Sequence, residues 1–458
     1  MTVPLKPLVL MCSTPVSGHI IPMQAISKHL VNRGYDVWFV SGRGYCQEIE
    51  ATGASFFPVD GYGDYHDIDD LRERELGDRW PILQKTLHGP DAFIYDLIYI
   101  FCKSLASQHE ALQKAMKMLG EKYPDRPIIL LTESLNFGPF PLIFGAPGIR
   151  PKGHIAVGLN PVMVSSIDHP PFGPGLPPDS SPEGRLRNKA ANESNRQMFA
   201  TAQEAWCEAL TSVGAKKPEI FLLDALYSLP GRFVQMCAPS AEYPRSDVPS
   251  ILRFAGGYPK AFEKPNRTRP KWWHEITANT TKKIVFVCQG TVATDLTRLV
   301  GPTMTTFKGR SDMMVVVALG KKGAVLPSDI PVPENARVAD YVPYDDVLPY
   351  VDVFVTTGGY GAFQRALTNG TPLVISATTE DKPEVAARAE WAGVAVNLRT
   401  SNASTKQLEQ AVNEVISNGK YKARAVEIQA EIAKSDPVGV IIQNIEELAG
   451  KDDTGSSE

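Results

Sequence analysis

Residues 352–376 read DVFVTTGGYGAFQRALTNGTPLVIS, in which two apolar segments flank a glycine-rich turn and a short helical pattern. The first apolar segment, at 352–356, is almost continuous, as expected of a strand that is buried on both faces of a sheet. The pattern after the glycines predicts a helix over 362–369, which Gly370 ends. Strand, helix and strand in this order form a βαβ unit, so the stretch predicts a parallel sheet covered by helices.

Both halves of the chain repeat this arrangement. Near the N-terminus, an apolar strand at 8–12 precedes a helix over about 19–33 and a second strand at 37–40. The C-terminal half adds further apolar strands at 284–288, 313–318 and 394–398. Because 458 residues exceed what one hydrophobic core usually supports, we expect two α/β domains, each with a doubly wound parallel sheet.

Proline content indicates the domain boundary, since residues 244–270 hold five prolines and little periodicity. The predicted units are an N-terminal domain at 1–250, a linker at 251–281, a C-terminal domain at 282–434, a final helix at 435–450 and a disordered polar tail at 451–458.

Composition excludes several classes of protein. The formal net charge is −4 and neither half is a basic block, so we expect no nucleic-acid partner. No stretch approaches the roughly 20 apolar residues of a membrane span, and the run at 8–12 is too short for a signal core. Six scattered cysteines without a CxxC pair predict neither a disulfide framework nor a zinc site. We therefore expect a soluble, cytoplasmic protein.

His19 is the first candidate for chemistry. It follows the strand at 8–12, where the loop meets the helix, and open α/β sheets bind their ligands at this edge. An imidazole with a pKa of about 6.5 is suited to take a proton from a hydroxyl group at neutral pH. Alternatively, His19 only begins the helix or binds its own loop, and its position alone does not decide between the two.

Two further sites lie between strands and helices of the C-terminal half. The glycines at 358–361 expose backbone N–H groups at a helix start, which attract a phosphate, although such turns also arise for geometric reasons. Their order matches neither GxGxxG nor a Walker loop, which argues against a dehydrogenase or a kinase. Glu380 and Asp381 lie in the next such turn and suit sugar hydroxyls, unless they only complement a helix dipole.

Together these three sites resemble the family 1, UDP-dependent glycosyltransferases over nearly the whole chain. The matching pieces are GHIIP at 18–22, TTGG at 356–359, AL at 366–367, GTP at 370–372 and DK at 381–382. The segment TEDKPEVAAR at 379–388 resembles the corresponding segment in a fungal and bacterial branch of the family. The resemblance implies a GT-B architecture, in which two Rossmann-like domains face a cleft and the last helix crosses back to the N-terminal domain. It also implies a transferase of secondary metabolism with a nucleotide-sugar donor, a small-molecule acceptor and neither cofactor nor metal.

The resemblance assigns roles to individual residues. His19 matches the general base, and Glu133, at the end of an apolar strand at 128–132, matches its carboxylate partner unless it is merely a solvent-exposed acid. Tyr341 matches the ring that stacks on the nucleobase, or else is a core aromatic. The nucleotide-sugar site would comprise Ser17, Gly18, Thr291, Tyr341, Val342, Thr357, Gly358, Gly359, Gly361, Ala362, Gln364, Glu380, Asp381 and Lys382. An acceptor wall, equally consistent with core, would comprise Phe137, Phe140 and Phe144.

The sequence also departs from the family pattern. The usual histidine, serine, glutamate and glutamine positions hold Thr357, Ala362, Arg365 and Lys382. Phosphate binding would then depend on backbone N–H groups and on the hydroxyls of Thr357 and Thr291. The sequence does not identify what replaces the ribose carboxylate, although Gln364 lies beside Arg365. The favoured interpretation is inverting transfer of glucose from UDP-glucose to an aromatic or polycyclic hydroxyl. The alternatives are a GT-B epimerase and a degenerate, non-catalytic sugar-nucleotide-binding protein.

Overall fold

The computed structural model describes residues 5–77, 89–259, 269–290 and 295–450. Thr291 and the tail predicted at 451–458 lie outside the described residues.

The N-terminal domain is built on a parallel sheet of seven strands in the order β3-β2-β1-β4-β5-β6-β7. The strands are β1 (Leu8–Cys12), β2 (Val37–Ser41), β3 (Ser55–Pro58), β4 (Ile128–Glu133), β5 (Gly153–Gly158), β6 (Arg232–Gln235) and β7 (Leu252–Phe254). All five residues of β1 are fully buried. Helices cover both faces of the sheet, so its central strands are apolar throughout rather than alternating.

The C-terminal domain repeats the design with six parallel strands in the order β10-β9-β8-β11-β12-β13. These strands are β8 (Lys283–Cys288), β9 (Met313–Ala318), β10 (Ala336–Ala339), β11 (Val353–Thr356), β12 (Leu373–Ile375) and β13 (Ala395–Asn397). The βαβ unit predicted from residues 352–376 is therefore β11, a helix and β12.

Helices of the described residues connect the strands. In the N-terminal domain they are α1 (Ser17–Asn32), α2 (Cys46–Glu50), α3 (Asp67–Leu76), α4 (Pro90–Asp96), α5 (Lys103–Lys122), α6 (Phe140–Ile143), α7 (Pro182–Met198), α8 (Ala200–Ser212) and α9 (Leu222–Ser228). The remaining helices are α10 (Trp273–Thr277), α11 (Val300–Thr306), α12 (Tyr344–Val347), α13 (Tyr360–Thr368), α14 (Lys382–Trp391), α15 (Thr405–Ser417), α16 (Gly419–Ala433) and α17 (Pro437–Ala449). Leu97–Cys102 forms a π-helical turn, and short 3₁₀ turns occur at Arg43–Tyr45, Gly61–Gly63, Pro239–Ala241 and Leu348–Tyr350. No helix in this part of the chain is long and apolar enough to cross a membrane.

The last helix, α17, lies against the N-terminal domain. It contacts α1 and strands β4, β5 and β6. Its buried stripe, which includes Ile441 and Ile445, joins the same core cluster as Val9 of β1. Arg33, which directly follows α1, and Asp436, which directly precedes α17, form an ion pair at 3.1 Å. Two Rossmann-like sheets and a helix that crosses back confirm the predicted fold class.

The domain boundary differs from the prediction. Leu252–Phe254, which falls in the predicted linker, forms β7 and pairs with β6 as the edge strand of the N-terminal sheet. The sequence did not predict this strand because it has only three residues and lies between two prolines, Pro249 and Pro259. Helix α10 also lies in the predicted linker, but Glu275 pairs with Arg337 of β10 and so belongs to the C-terminal domain.

Candidate active site

His19 lies at the carboxyl edge of the N-terminal sheet. Strand β1 ends at Cys12, and α1 begins at Ser17, which places His19 in the first turn of the helix. Its backbone N–H donates to the carbonyl of Val16 at 2.8 Å, and its ring lies 5.5 Å from the ring of Phe101. His19 is only 9% exposed, so its protonation depends on the groups packed around it.

Glu133 is the partner of His19. It ends β4, the parallel neighbour of β1, so the two strands bring these residues to the same edge of the sheet. The Glu133 Oε2 atom lies 3.0 Å from His19 Nδ1, and the carboxylate has no accessible surface. The predicted contact is confirmed, and the alternative of a solvent-exposed acid is wrong. Because a carboxylate only accepts, Nδ1 carries the proton and Nε2 keeps the lone pair that a general base needs.

Hydrogen bonds fix the Glu133 carboxylate. The Thr14 hydroxyl donates to Oε1 at 2.7 Å, and the Leu135 N–H donates to Oε2 at 2.7 Å. Burial would raise the pKa of Glu133, but the charge and hydrogen bond of His19, together with these donors, lower that pKa below its usual value. Glu133 is therefore ionised at neutral pH.

The contact with Glu133 also changes the pKa of His19, in the opposite direction to that of Glu133. Burial would lower the pKa of His19, but the Glu133 carboxylate outweighs it and raises the pKa, with smaller contributions from Asp381 and Asp96. A raised pKa makes the imidazole a stronger base once it is neutral.

The glycine-rich turn of the C-terminal domain leads into α13. Gly358 has a φ of +76°, and a Cβ there would lie 2.6 Å from a methyl carbon of Ile375, so this position requires glycine. Side-chain positions at Gly359 and Gly361 face open space. The first helical hydrogen bond here runs from Phe363 to Gly359, and the N–H groups before it have no partner within the helix. This end of the helix is suited to a phosphate.

Thr357 has a different role from the predicted one. Its hydroxyl donates to the carbonyl of Gln289 at 2.9 Å and so joins the loops after β11 and β8. A threonine hydroxyl has one proton, which is used in this contact, so Thr357 braces the loop instead of donating to a phosphate.

Tyr341 and Val342 follow β10 at the same edge of the sheet. The Tyr341 ring is 44% exposed, whereas Val342 is 3% exposed. The alternative that Tyr341 is a core aromatic is therefore wrong, and its ring offers a face to a flat ligand.

The acidic turn after β12 reaches across to the N-terminal domain. Asn160 donates to Asp381 at 3.4 Å, and Thr379 bridges to Gly89. Glu380 forms an ion pair with Lys382 and has a φ of +52°, a strained value for a residue with a side chain. The negative charge of Asp381 also contributes to the raised pKa of His19.

Comparisons with known proteins decide the family. The profile described as "Erythromycin biosynthesis protein CIII-like, C-terminal domain" matches residues 304–448. UDP-glucosyltransferase A1 of Starmerella bombicola is 36% identical over 98% of this chain and 93% of its own. The chain belongs to the family 1, UDP-dependent glycosyltransferases. The branch includes bacteria, because 4'-demethylrebeccamycin synthase of Lentzea aerocolonigenes is 32% identical over 96% of this chain and 99% of its own.

Solved structures agree on the fold of this glycosyltransferase. The crystal structure of the glycotransferase of kitacinnamycin aligns with a TM-score of 0.69 over 97% of this chain and all of that one, at 21% identity. The protein is therefore a UDP-glycosyltransferase of GT-B fold, an enzyme that moves a sugar from a UDP-sugar donor.

The residues at the predicted ribose position of this glycosyltransferase are engaged in other contacts or buried. Arg365, which stands where the family has glutamate, pairs with Asp345 at 3.1 Å and donates to the carbonyl of Pro259. Gln364 is fully buried, with neither amide atom hydrogen-bonded. A side chain without accessible surface does not touch a ligand in this arrangement, so the structure does not place Gln364 at the ribose.

The predicted acceptor wall of the glycosyltransferase is largely core. Phe137 and Phe140 are 0% and 2% exposed and pack against Trp206. Only Phe144 is partly exposed. The spacing of the three rings fits a wall, but helix α8, which contributes Trp206, covers the first two.

Sequence reasoning missed several charged residues near the base. Asp96 pairs with Arg72 at 3.2 Å, and burial raises the pKa of Asp96 to about 6. Asp67 accepts from the N–H of Ser17 at 3.4 Å and has a φ of +77°. None of them follows a strand, which is the signal that located His19 and Glu133. Gly18, beside Ser17, is exposed. Among the described residues, no group of three potential ligands is arranged for a metal ion.

Proposed function

We propose that this enzyme transfers glucose from UDP-glucose, with inversion at the anomeric carbon, to a hydroxyl of a small aromatic or polycyclic acceptor. The observation that carries the proposal is the buried His19–Glu133 pair, with Nδ1 and Oε2 3.0 Å apart, opposite the acidic turn of the donor domain. A histidine that is oriented by a buried carboxylate is the arrangement that general-base catalysis needs.

The reaction would proceed as a single displacement. His19 Nε2 takes the proton of the acceptor hydroxyl, and the oxygen attacks the anomeric carbon opposite the diphosphate. The bond from that carbon to the diphosphate breaks, and UDP leaves with the electron pair. Glu133 stabilises the imidazolium that forms, and the N–H groups at the start of α13 stabilise the charge on the departing phosphate.

The donor and acceptor assignments rest on different support. For the donor, relatives such as the Starmerella bombicola enzyme are named UDP-glucosyltransferases. Asp381, at the start of α14 and close to His19, is suited to accept hydrogen bonds from sugar hydroxyls. For the acceptor, an apolar contact is available beside the base, where Ile21 is 52% exposed. Relatives named for small products, such as 4'-demethylrebeccamycin synthase, support a small molecule.

A product screen tests the proposal and separates the alternatives. The protein would be incubated with UDP-glucose and a panel of phenols and polycyclic alcohols, with UDP release and product mass followed together. Transfer predicts equal amounts of UDP and hexosylated acceptor. An epimerase would change the sugar without acceptor-dependent UDP release, and a non-catalytic protein would release no UDP; either result would overturn the proposal.

Tyr341→Ala should weaken UDP binding by about 1–3 kcal/mol, the usual contribution of one aromatic ring stacked on a base. Tyr350→Ala is the matched control, because that ring is equally exposed, at 43%, but precedes β11 and so lies at the opposite edge of the sheet. Calorimetry with UDP measures both variants. If both variants bind UDP with equal affinity, the uracil base does not stack on Tyr341.

Activity should persist in excess EDTA, because the start of α13 supplies the positive potential that neutralises the leaving diphosphate. The initial rate of UDP release would be compared before and after chelation, and again after magnesium is restored. A complete loss that magnesium reverses would contradict this account.

A further inference from the structure

A proline-rich segment of the N-terminal domain crosses to the donor domain. Residues 170–181, here called the clamp loop, are the second half of the segment between β5 and α7. The N–H groups of Gly173 and Gly175 donate to Oε1 of Glu384 in α14, at 2.8 and 2.7 Å. Glu384 is only 3% exposed, so one buried carboxylate of the donor domain holds two amides of the other domain.

Arg388 fixes the other oxygen of the same carboxylate. Its Nη1 atom lies 2.6 Å from Glu384 Oε2, and its Nε atom lies 2.6 Å from Oε1 of Glu242 in the N-terminal domain. Nη2 also donates to the carbonyl of Val162 at 3.1 Å. Arg388 and both carboxylates are almost fully buried. Such a network is stable only while every charge keeps its partners, so it requires the two domains to be in contact.

The clamp loop contacts the first turn of α14 very closely. Gly175 has a φ of +63°, and a Cβ there would lie 2.4 Å from the carbonyl oxygen of Pro383. Pro383 comes two residues after Asp381, which is assigned to the donor sugar. The loop therefore packs directly on the turn that presents the predicted sugar contact.

Next to Gly173, the clamp loop also packs on a helix of its own domain. The ring of Phe172 lies 5.2 Å from the ring of Phe93 in α4. Helix α4 ends at Asp96, whose charge acts on His19. The first residues of the clamp loop therefore contact α14 of the donor domain and α4 of the N-terminal domain.

We infer that Glu384 is a positioning residue that fastens residues 170–181 over the donor sugar as a lid, and that this lid excludes water from the transfer. The inference rests on the proposed function, because it concerns the same reaction. With the lid open, water would replace the acceptor: its oxygen would bond to the anomeric carbon, the bond to the diphosphate would break, and His19 would take the proton. The products would be free glucose and UDP. Lids that order on domain closure commonly prevent such hydrolysis.

Gly175→Ala tests the lid without altering a charged or catalytic group. Because the added Cβ forces the loop away from Pro383, the rate of transfer relative to hydrolysis should fall by about 10²-fold, as expected for an ångström-scale misplacement. The UDP dissociation constant should not change, since α13 and Tyr341 are untouched. Gly309→Ala is the control: Gly309 has a φ of +76° but open space at the Cβ position, so it carries the backbone strain without a contact.

Glu384→Gln tests the same lid from the donor domain. It keeps the volume but places an uncharged amide against Arg388, so hydrogen exchange at residues 170–181 should accelerate and hydrolysis should rise. Glu390→Gln, on the same helix but in an exposed pair with Arg399, should leave both unchanged. If Gly175→Ala and Glu384→Gln both keep the parental ratio of transfer to hydrolysis and the parental exchange rates, the lid is wrong. If the parent enzyme transfers no sugar, the proposed function fails, and the exchange rates alone still decide whether Glu384 holds the loop.

Discussion

His19→Ala is expected to lower the rate of sugar transfer by about 10²–10⁴-fold, the usual contribution of a general base, while UDP binding is unchanged. Only the transfer rate should change because His19 is not among the predicted nucleotide contacts. His19 belongs to the N-terminal domain and is held by Glu133, whereas the predicted nucleobase ring, Tyr341, and the glycine-rich turn for the phosphates follow β10 and β11 of the C-terminal domain. Initial rates at saturating UDP-glucose and calorimetry with UDP measure the two effects separately.

The choice of acceptor sharpens this test. A strongly acidic phenol arrives partly ionised, so the variant should lose less activity with it than with an aliphatic alcohol. His29→Ala is the control, because His29 lies near the other end of α1, away from Glu133. Turnover near the parental rate with an ordinary alcohol would remove His19 from the role of base.

Glu133→Gln is expected to have the second large effect, again about 10²–10⁴-fold on the rate, because the carboxylate fixes the imidazole tautomer and stabilises the imidazolium. A glutamine amide keeps the volume but cannot accept at both oxygens from Thr14, Leu135 and His19. Removing the charge also lowers the pKa of His19, since Glu133 is what raises it. The acidic limb of the kcat/KM profile should therefore move to lower pH.

Glu133→Asp is the matched comparison. It keeps the charge and shortens the side chain by one methylene, so it should retain more activity than Glu133→Gln and should leave the acidic limb closer to the parental position. A merely structural role for Glu133 would change stability without moving the pH profile. If both variants transfer sugar at the parental rate, another group orients His19.

The residues that could be predicted from the sequence are those at the carboxyl ends of apolar strands. His19 and Glu133 are far apart in the chain, but each follows or ends an apolar strand, and parallel neighbours bring their carboxyl ends together. The glycines before α13 were recognisable for a similar reason, because Gly358 has a positive φ that few other residues tolerate. A strand end and a glycine-rich turn can each be recognised from a short stretch of sequence, and neither depends on how the surrounding side chains pack.

The remaining features depend on packing between distant segments. From the sequence, Phe137 fits an acceptor wall, but in the fold Trp206 of α8 covers it. From the sequence, the Thr357 hydroxyl is available to a phosphate, but in the fold it donates a hydrogen bond to the backbone carbonyl of Gln289. Glu384 reads as an ordinary acid in the first turn of a helix, and only the fold brings Gly173 and Gly175 to its carboxylate. No periodicity or spacing predicts such contacts, because each joins elements whose relative positions the sequence pattern does not specify.

The configuration of the new glycosidic bond shows directly whether the enzyme inverts the anomeric carbon. UDP-glucose carries an α-linked sugar, and a single displacement with His19 as base inverts the anomeric carbon. Proton NMR of the product formed at early times, with any hexosylated acceptor from the screen, gives the configuration from the coupling constant of the anomeric proton. Inverting transfer gives a β-glucoside in equal amount with UDP; an α-glucoside, or UDP formed without any glucoside, would contradict the proposed mechanism.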